Sequence, residues 1–507
     1  MKNEKNAPEP FPGRAERLLR TVFVAAFAAV LLAGFSAKAQ HIQQASADAS
    51  GIPANGPSHE GDISGNGRYA AFSSTADNLV PGDINGTTDV FVKDRVTGSV
   101  ELVSVDSQGN ATGGGGAGAA ISREGRFVAF YSEADDLVPG DTNGLSDIFV
   151  HDRVTKQTHR VSISTGGVET NDSCYEYNLS GDGRYVVFIS DADNLVPGDT
   201  NGSSDVFLRD TRTGTTTRVS TGPDGVEAND SSNEPSISGD GRYVVFNSAA
   251  TNLVPGDTNG HEDVFILDRS SGVVERVSVG ASGEEANGSS YQGSPSDDGR
   301  FVVFHSSADN LAPGDYNSDC DIYLRDRATG STRLVSRGYD GLAGAGNSTD
   351  AHLSADGRFV VFDSTAPDLV AGDTSDRDVF FYDVLTGRLT LASATAAGRP
   401  GNGPSYHSYL TDDGRSLVFE SAATDLVAGD TNGVTDIFVG DTVPTWPPCD
   451  QNKDGRFTMK DVYTFKHACR ERAVDFVCDL DDSGVFRRDW LQFRLGCRMD
   501  PPWYPWE

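Results

Sequence analysis

The chain has 507 residues, of which 37% are hydrophobic, 23% are charged and 57 are glycine. That composition is globular, but the chain is too long for one compact core, so several domains or a repeat array are expected. Lysine and arginine total 41 against 74 aspartate and glutamate residues, a formal charge of −33. An acidic surface repels phosphates, which argues against a nucleic-acid-binding protein. The composition remains compatible with a recognition protein or with an enzyme on a β scaffold.

Residues 1–39 have the pattern of a secretory signal. Five basic residues precede an apolar stretch over 21–37, and Ala37-Lys38-Ala39 places small residues where a signal peptidase reads them. Cleavage is expected before Gln40. The alternative is a membrane anchor, for which a run of about 17 apolar residues is short. We expect no membrane span in the mature chain, and a secreted, periplasmic or surface-attached protein.

An internal repeat organises residues 40–441. A Gly-Arg pair recurs every 58 residues, with a last spacing of 57, and its glycines are Gly67, Gly125, Gly183, Gly241, Gly299, Gly357 and Gly414. In the fourth unit, Tyr243–Ser248 and Asp263–Asp268 are β-branched and aromatic runs, 274–279 alternates apolar with polar, and 236–238 can form a short strand. Four short strands per unit, without a helical pattern, predict an all-β, seven-bladed β-propeller.

At these residues the chain resembles the TolB-type, WD-like propeller repeats of exported bacterial proteins. The resemblance rests on S-x-D-G-R-Y-V-V-F followed by D-V-F-x-x-D, and it covers about residues 41–441. The period of 58 residues exceeds the ~40–45 of a WD-type blade. The excess lies mainly in an N-L-V-P-G-D-T-N-G insertion and in the linker to the next unit.

The ends of the array predict how the ring closes. The seventh unit stops after Asp441 at a proline-rich linker, 442–448, without a fourth strand. Residues 41–55 align with 215–229, because Asn55 and Asn229 each lie 12 residues before a Gly-Arg glycine. We therefore expect residues 41–46 to form the outer strand of the last blade and to leave no exposed sheet edge there.

Every unit carries Asp-x-Asn-Gly-x-x-Asp, or a variant, directly before its third strand. The candidate ligands are Asp83, Asn85 and Asp89; Asp141, Asn143 and Asp147; Asp199, Asn201 and Asp205; Asp257, Asn259 and Asp263; Asp315, Asn317 and Asp321; Asp373, Asp376 and Asp378; and Asp430, Asn432 and Asp436. Oxygens at positions 1, 3 and 7 suit Ca²⁺, which takes 6–8 oxygen ligands. The alternative is a tight turn capped by Asp and Asn. Both interpretations stay open, because the loop lacks the middle acid of known calcium loops.

Two positions differ in residue type from unit to unit, while the residues around them keep the repeat pattern. They lie seven and eight residues before each Gly-Arg glycine, on the strand expected to line the central channel. The resulting ligand funnel comprises Glu60, Tyr175, Glu176, Glu234, Tyr291, Asp350, Tyr406 and His407. Carboxylates beside tyrosines suit a sugar or a peptide, and the alternative is a solvated funnel without a ligand.

Residues 449–497 follow a different pattern. Asp450, Asn452, Asp454, Arg456 (through its carbonyl), Thr458 and Asp461 occupy the ligand positions of an EF-hand-type loop. A shorter second copy offers Asp479, Asp481, Ser483, Val485 and Asp489, with Trp490 at position 12. We expect Ca²⁺ in the first loop and a weaker site in the second, against the alternative of acidic turns.

Two such loop–helix units resemble a dockerin, the module that attaches enzymes or surface proteins to cohesin partners. The resemblance implies a small α-helical calcium domain over 449–497, followed by an aromatic tail over 498–507, and a cohesin-like or surface protein as partner. Met459 and Lys460 stand where dockerins of the best-known type carry small hydroxyl residues that touch cohesin. The partner therefore stays open.

The six cysteines fit an exported protein. Cys449, Cys478, Cys469 and Cys497 lie in the C-terminal segment, and their duplicated placement suggests Cys449–Cys478 and Cys469–Cys497 disulfides. Four cysteines allow three connectivities. Cys174 and Cys320 fall in units that are not neighbours, so they are expected to stay unpaired.

Together these patterns predict a secreted, non-catalytic binding or scaffold protein with a calcium-dependent docking module. The alternative is a polysaccharide-degrading hydrolase or lyase with its active site in the funnel. Glu176 and Glu234 would then be an acid/base pair in adjacent blades, although no residue is assigned as catalytic.

Overall fold

The computed structural model describes residues 41–374 and 376–442. These residues form seven four-stranded antiparallel sheets, the blades of a propeller, and one short 3-10 turn at Pro223–Gly225 is the helical element among them. The all-β, seven-bladed fold predicted from the repeat is confirmed. The expected signal, most of the linker, the C-terminal calcium domain and the aromatic tail lie outside the described residues.

The strands follow the repeat. The first, β1 (His41–Gln44), belongs to the last blade. Blade 1 has β2 (Ser58–Ile63), β3 (Tyr69–Ser74), β4 (Asp89–Asp94) and β5 (Val100–Leu102). Blade 2 has β6 (Ala117–Ile121), β7 (Phe127–Ser132), β8 (Asp147–Asp152) and β9 (Gln157–Arg160). Blade 3 has β10 (Cys174–Leu179), β11 (Tyr185–Ser190), β12 (Asp205–Asp210) and β13 (Thr215–Arg218).

The remaining blades repeat this order. Blade 4 has β14 (Ser232–Ile237), β15 (Tyr243–Ser248), β16 (Asp263–Asp268) and β17 (Val273–Arg276). Blade 5 has β18 (Ser290–Pro295), β19 (Phe301–Ser306), β20 (Asp321–Asp326) and β21 (Ser331–Leu334). Blade 6 has β22 (Ser348–Leu353), β23 (Phe359–Ser364), β24 (Asp378–Asp383) and β25 (Arg388–Leu391). Blade 7 has β26 (Ser405–Leu410), β27 (Ser416–Ser421), β28 (Asp436–Asp441) and β1.

The hydrophobic core is a ring of seven clusters, each lying between two adjacent blades. In blade 3, β11 and β12 bury nearly every side chain, because neighbouring blades cover both faces of the sheet. Phe188 and Phe207 stack with ring centroids 5.9 Å apart, and each of the other blades pairs aromatic rings on the same two strands. Because both faces of these strands are buried, their apolar residues form continuous runs and do not alternate with polar ones.

The Gly-Arg pair joins neighbouring blades. Gly241 has φ +72°, and a Cβ there would lie 2.4 Å from Cδ2 of Tyr185, the aromatic residue after Gly-Arg in the previous blade. Arg269 stacks on the other side, with its guanidinium carbon 3.9 Å from the Tyr185 ring centroid. Only a residue without a side chain fits this position.

The arginine of the pair stays within its own blade. In blade 3, Arg184 binds both carboxylate oxygens of Asp210, at 3.0 and 2.8 Å, and so ties the start of β11 to the end of β12. The pairs Arg68–Asp94, Arg126–Asp152, Arg242–Asp268, Arg300–Asp326 and Arg358–Asp383 repeat this contact. It accounts for the recurring D-V-F-x-x-D pattern.

The N-terminal strand completes the last blade. Strand β1 pairs antiparallel with β28, His41 opposite Asp441 and Gln44 opposite Phe438. Next to it, Ser46 Oγ donates to Asp436 Oδ1 (2.6 Å) and accepts from the Ile437 backbone N–H (3.0 Å). A serine makes the same two contacts at the end of the fourth strand in the other six blades.

Candidate functional site

The first strands of the seven blades contact one another and surround a central channel. Each carries a β-bulge, as in β14, where the register with β15 shifts between Asn233 and Ser236. The residue in the bulge has positive φ in every blade; the set is Glu60, Gly118, Glu176, Glu234, Gln292, Asp350 and His407. Six of the seven carry side chains, although positive φ is unfavourable for them. Bulges re-aim side chains, and strained backbone clusters at functional sites.

The bulges open into a cavity of about 600 Å³ at the end of the channel where the first strands begin, which we call the mouth face. Its lining includes the carboxyl groups of Glu60, Asp62, Glu176, Glu234 and Asp350, and the imidazoles of His352 and His407. Tyrosine rings at 131, 175, 177 and 409 complete the wall. Within the described chain, no lysine or arginine lines this cavity.

Two of these glutamates tie neighbouring blades together. Glu176 accepts a hydrogen bond from the Glu234 backbone N–H (3.1 Å), and Glu234 accepts one from the Gln292 backbone N–H (2.8 Å). Burial raises the pKa of Glu234 to about 7, and the nearby Glu176 carboxylate adds to the rise. Burial also raises the pKa of Asp62 to about 7. Both groups therefore change charge near neutral pH.

A buried glutamate organises the junction of blades 7 and 1. Glu420 is 1% exposed and accepts the Glu60 backbone N–H (2.6 Å). Its two oxygens also face the Nδ1 atoms of His59 (3.1 Å) and His407 (3.0 Å). The hydrogen bond to Glu420 raises the pKa of His407 to about 9. His407 is therefore a cation at neutral pH, held beside Asp350, whose Oδ2 lies 3.8 Å from its Nε2.

The opposite end of the channel, the closed face, is blocked. Arg123 of blade 2 reaches across the axis and pairs with Asp297 of blade 5 (2.6 Å) and with Asp412 of blade 7. Around this cluster, seven hydrogen bonds join each blade to the next; the acceptors are the Arg123, Gly181, Gly239, Ala355, Asp412 and Gly65 carbonyls and the Asp297 carboxylate. Only about 150 Å³ of space remains there. The cavity is a dead-end funnel.

Six of the eight predicted funnel residues line this cavity: Glu60, Tyr175, Glu176, Glu234, Asp350 and His407. Tyr291 and Tyr406 do not; the Tyr291 ring packs 5.6 Å from that of His305, and the Tyr406 ring packs edge-on against His407. Sequence reasoning missed Asp62, Tyr131, Tyr177, His352 and Tyr409. Asp62, His352 and Tyr409 lie two residues beyond a predicted position, so strand alternation was the available signal.

Tyr177 enters the funnel for a different reason. Blade 2 has Gly118 at its bulge, and a Cβ there would lie 2.3 Å from the Tyr177 hydroxyl. The tyrosine of blade 3 therefore fills space that blade 2 leaves empty. Burial raises the pKa of Tyr177 well above its usual range, so it stays a neutral hydrogen-bonding group.

The Asp-x-Asn loops lie on the mouth face, outside the funnel. In blade 3, Asp199, Asp205 and Glu227 offer oxygens that all lie within 4.8 Å of one another, an arrangement that suits a cation. Arg218 Nη1 takes that place, 3.3 Å from Asp199, 3.2 Å from Asp205 and 2.6 Å from Glu227. Arg160 in blade 2 and Arg276 in blade 4 make the same three contacts.

The asparagine at position 3 acts as a turn residue. In blade 1, Asn85 accepts the Thr87 backbone N–H (3.2 Å) through Oδ1 and donates through Nδ2 to Asp89 (2.7 Å). Asn143, Asn201, Asn259 and Asn432 repeat both bonds, and Asn317 repeats the first. The predicted asparagine oxygen is thus engaged by the backbone, and Asp376 of blade 6 is exposed. The structure places the carboxylates of positions 1 and 7 together, and the position 3 asparagine lies beside position 7 as a hydrogen-bond donor.

The fold and the funnel define a seven-bladed β-propeller with an acidic cavity closed at one end. No protein-family model and no curated protein matches the chain. Among solved structures, it is similar to an oligogalacturonate lyase in complex with manganese, with 14% identity, a TM-score of 0.50, and 80% of this chain and 96% of that chain covered. At that identity, the likeness shows the fold alone.

Other propellers also resemble the chain. The β-propeller domain of the Trilobed protease from Pyrococcus furiosus has 11% identity and a TM-score of 0.47, covering 76% of this chain and 95% of that chain. TolB from Acinetobacter baumannii has 16% identity and a TM-score of 0.33, covering 78% of this chain and 81% of that chain.

The remaining predictions concern the C-terminal segment, the cysteines and membrane spans. Both EF-hand-type loops and the four C-terminal cysteines lie outside the described residues. Cys174 and Cys320 are free thiols, as expected. In the part of the chain that the structure describes, no helix is long and apolar enough to cross a membrane.

Proposed function

We propose that the chain is a non-catalytic recognition protein whose funnel binds a peptide segment through a lysine or arginine side chain. The observation that carries this proposal is the composition of the cavity. Five carboxyl groups line it against one protonated imidazole, that of His407, and no lysine or arginine of the described chain lines it. A cationic side chain is the ligand group that complements such a wall.

The shape and the aromatic lining support the same ligand class. A cavity of about 600 Å³ lies in the range of specific small-ligand sites. The tyrosines at 131, 175, 177 and 409 give the cavity an aromatic lining, which suits a cation on an aliphatic stem. Because Arg123 closes the far end, a side chain or a chain end can enter, and a polymer cannot thread through.

The alternative, cleavage of a polysaccharide by Glu176 and Glu234, has less support. Each carboxylate already accepts a backbone N–H from the next blade, which gives it a structural task. An acidic polysaccharide would also meet a wall of like charge. The structural likeness to an oligogalacturonate lyase therefore suggests no substrate for this funnel.

The binding proposal is tested by titrating fluorescent peptides of equal length that carry lysine, glutamine or glutamate at one position. We expect the lysine peptide to bind most tightly and to weaken as salt rises, because screening reduces the attraction of exposed charges. Glu60→Gln should weaken it several-fold. Glu124→Gln removes an equal charge from the closed face and should leave binding unchanged. Equal binding of all three peptides would contradict the proposal.

The enzyme alternative is tested with the same preparation. Release of new reducing ends from a polysaccharide panel, abolished by Glu234→Gln with the fold intact, would replace the recognition proposal by a catalytic one.

We also propose that the protein is exported and that residues 449–497 hold Ca²⁺ and dock to a cohesin-like or surface protein. The leader pattern and the loop from Asp450 to Asp461 support this. Mass spectrometry of the exported chain should find Gln40 at its N-terminus. Capture of a partner should require Ca²⁺ and should fail with Asp450→Asn combined with Asp461→Asn.

A further inference from the structure

The loop clusters on the mouth face fall into two kinds. Blades 2, 3 and 4 have an arginine on the fourth strand and a glutamate nine residues later, as in Arg218 and Glu227. The other four blades have neither residue. The equivalent pairs are Leu102 and Ala111, Leu334 and Ala343, Leu391 and Pro400, and Gln44 and Pro53.

Strand pairing establishes that these positions are equivalent. Arg218 lies opposite Phe207 in β12, and Leu334 lies opposite Tyr323 at the same register in β20. Glu227 forms an isolated bridge with Thr221, and Ala343 forms the matching bridge with Arg337. The exchange therefore replaces a cation and an acid with uncharged side chains at one fixed place, apolar in blades 1, 5 and 6 and including Gln44 in blade 7.

The position 1 and position 7 aspartates remain after the exchange, and all but the half-buried Asp373 of blade 6 stay buried. Asp321 is 0% exposed, Asp378 is 1% exposed and Asp430 is 7% exposed. Each has a buried carboxylate oxygen without a hydrogen-bond partner: Oδ2 of Asp321, Oδ2 of Asp378 and Oδ1 of Asp430. Buried carboxylate oxygens in folded proteins are normally paired or bound to a metal.

These oxygens correspond to the atoms that the arginine engages elsewhere. In blade 4, Arg276 Nη1 lies 3.0 Å from Oδ2 of Asp263, the counterpart of Asp321. It also lies 3.1 Å from Oδ1 of Asp257, the counterpart of Asp430. Their other hydrogen bonds are kept, since Asp321 Oδ1 still accepts from Ser336 (2.6 Å). Blades 5, 6 and 7 thus lack the positive group between the two aspartates. In blade 5, Tyr323 in addition donates to Asp315 Oδ2, and Arg337 binds the Pro313 carbonyl of the same loop (2.9 Å).

We propose that in blades 5, 6 and 7 a divalent cation that prefers oxygen ligands, such as Ca²⁺, occupies the position held by an arginine guanidinium in blades 2, 3 and 4. The donor set is carboxylate oxygen, and backbone carbonyls and water complete such sites. Blade 1 is excluded, because neither Asp83 nor Asp89 has a buried carboxylate oxygen without a hydrogen-bond partner; the oxygens of Asp89 accept from Ser104 (2.6 Å) and Asn85 (2.7 Å).

A bound proton is the competing explanation. Without a cation, burial raises the pKa of Asp321 to about 7, so one aspartate of each pair could be neutral instead. The two explanations differ in what an engineered arginine would displace. It would release an ion in one case and only a proton in the other.

The test measures bound calcium per full-length chain by elemental analysis after equilibrium dialysis. Leu334→Arg with Ala343→Glu converts blade 5 to the arginine kind, and we expect it to lose one ion relative to the parent. The reverse exchange in blade 3, Arg218→Leu with Glu227→Ala, should gain one ion. Ions in the C-terminal segment cancel in both differences.

A matched control is the same graft in blade 1, Leu102→Arg with Ala111→Glu, for which the ion count should not change. Far-UV circular dichroism checks that each variant keeps the fold. An unchanged ion count in the folded blade 5 variant would overturn the proposal. So would an equal loss in the blade 1 control. If the blade 5 variant does not fold, the blade 3 exchange decides alone: a gain supports the proposal and no gain overturns it.

Discussion

The role of the Gly-Arg glycine as a joint between blades leads to a quantitative prediction. Gly241→Ala places a methyl group 2.4 Å from Cδ2 and 2.9 Å from Cε2 of Tyr185. The ring cannot retreat freely, because Arg269 stacks on it at 3.9 Å. Gly256→Ala is the matched control: its φ is +80°, close to the +72° of Gly241, and nothing lies within 4 Å of its Cβ position.

Both substitutions hold an alanine at positive φ, and only Gly241→Ala also overpacks the interface between blades. An alanine held at positive φ costs roughly 1–2 kcal/mol. Overpacking a filled interface adds about 1–3 kcal/mol. We therefore expect Gly256→Ala to lower the free energy of unfolding by about 1–2 kcal/mol and Gly241→Ala by about 2–5 kcal/mol. Gly67→Ala should lie close to the control, since Ser416 replaces the aromatic ring in blade 7, and the nearest atoms to the new methyl are Thr411 Cγ2 at 3.3 Å and Ser416 Oγ at 3.7 Å.

The assay is urea unfolding followed by far-UV circular dichroism. Tryptophan fluorescence would report on the wrong region, because all four tryptophans lie after residue 442. The midpoints should rank parent, then Gly256→Ala and Gly67→Ala together, then Gly241→Ala. If Gly241→Ala unfolds at the same urea concentration as Gly256→Ala, contact with the preceding blade is not what requires glycine there.

Three further predictions concern ring closure, charge and the closed face. Ser46→Ala removes two buried hydrogen bonds to β28 and should cost about 2–4 kcal/mol in urea unfolding, whereas the exposed Ser50→Ala should cost nothing measurable. Lysine-peptide affinity should rise between pH 6 and 8, because Glu234, with a pKa of about 7, is largely neutral below that pH. One titrating carboxyl group limits the rise to about tenfold per pH unit. An affinity that does not change over that range would argue against a role of the Glu234 charge in binding. Arg123→Ala should cost about 1–3 kcal/mol by leaving two carboxylates uncompensated, and Asp412→Asn in the same chain should recover part of the loss. Full additivity of these last two substitutions would contradict the ion pair.

The blades were predictable from sequence because their determinants are local and repeated. The runs at Tyr243–Ser248 and Asp263–Asp268 are strands with those bounds, since a blade buries both faces of its middle strands. The innermost strand was predicted at 236–238 and spans Ser232–Ile237. Its bulge hides the alternation that would have marked the earlier residues.

Features that join distant blades were not predictable in the same way. Arg123, Asp297 and Asp412 each stand two residues before a Gly-Arg glycine, so the repeat marks them as equivalent positions, but it does not show that their side chains meet across the ring. The arginine–glutamate exchange was different, because a comparison of Arg218 with Leu334 needs only the repeat. The structure shows the consequence of the exchange, because it places the Arg218 guanidinium between two aspartates.

The pairing of β1 with β28 also fixes how the ring can be tethered. His41 lies opposite Asp441, at the end of blade 7 where β27 begins and where Asp412 meets Arg123. The N-terminal and C-terminal ends of the propeller therefore lie side by side at the closed face. An anchor applied through residues beyond Thr442 would be attached to the ring at that face, on the side opposite the mouth. A ligand could then reach the funnel without the protein leaving its anchor.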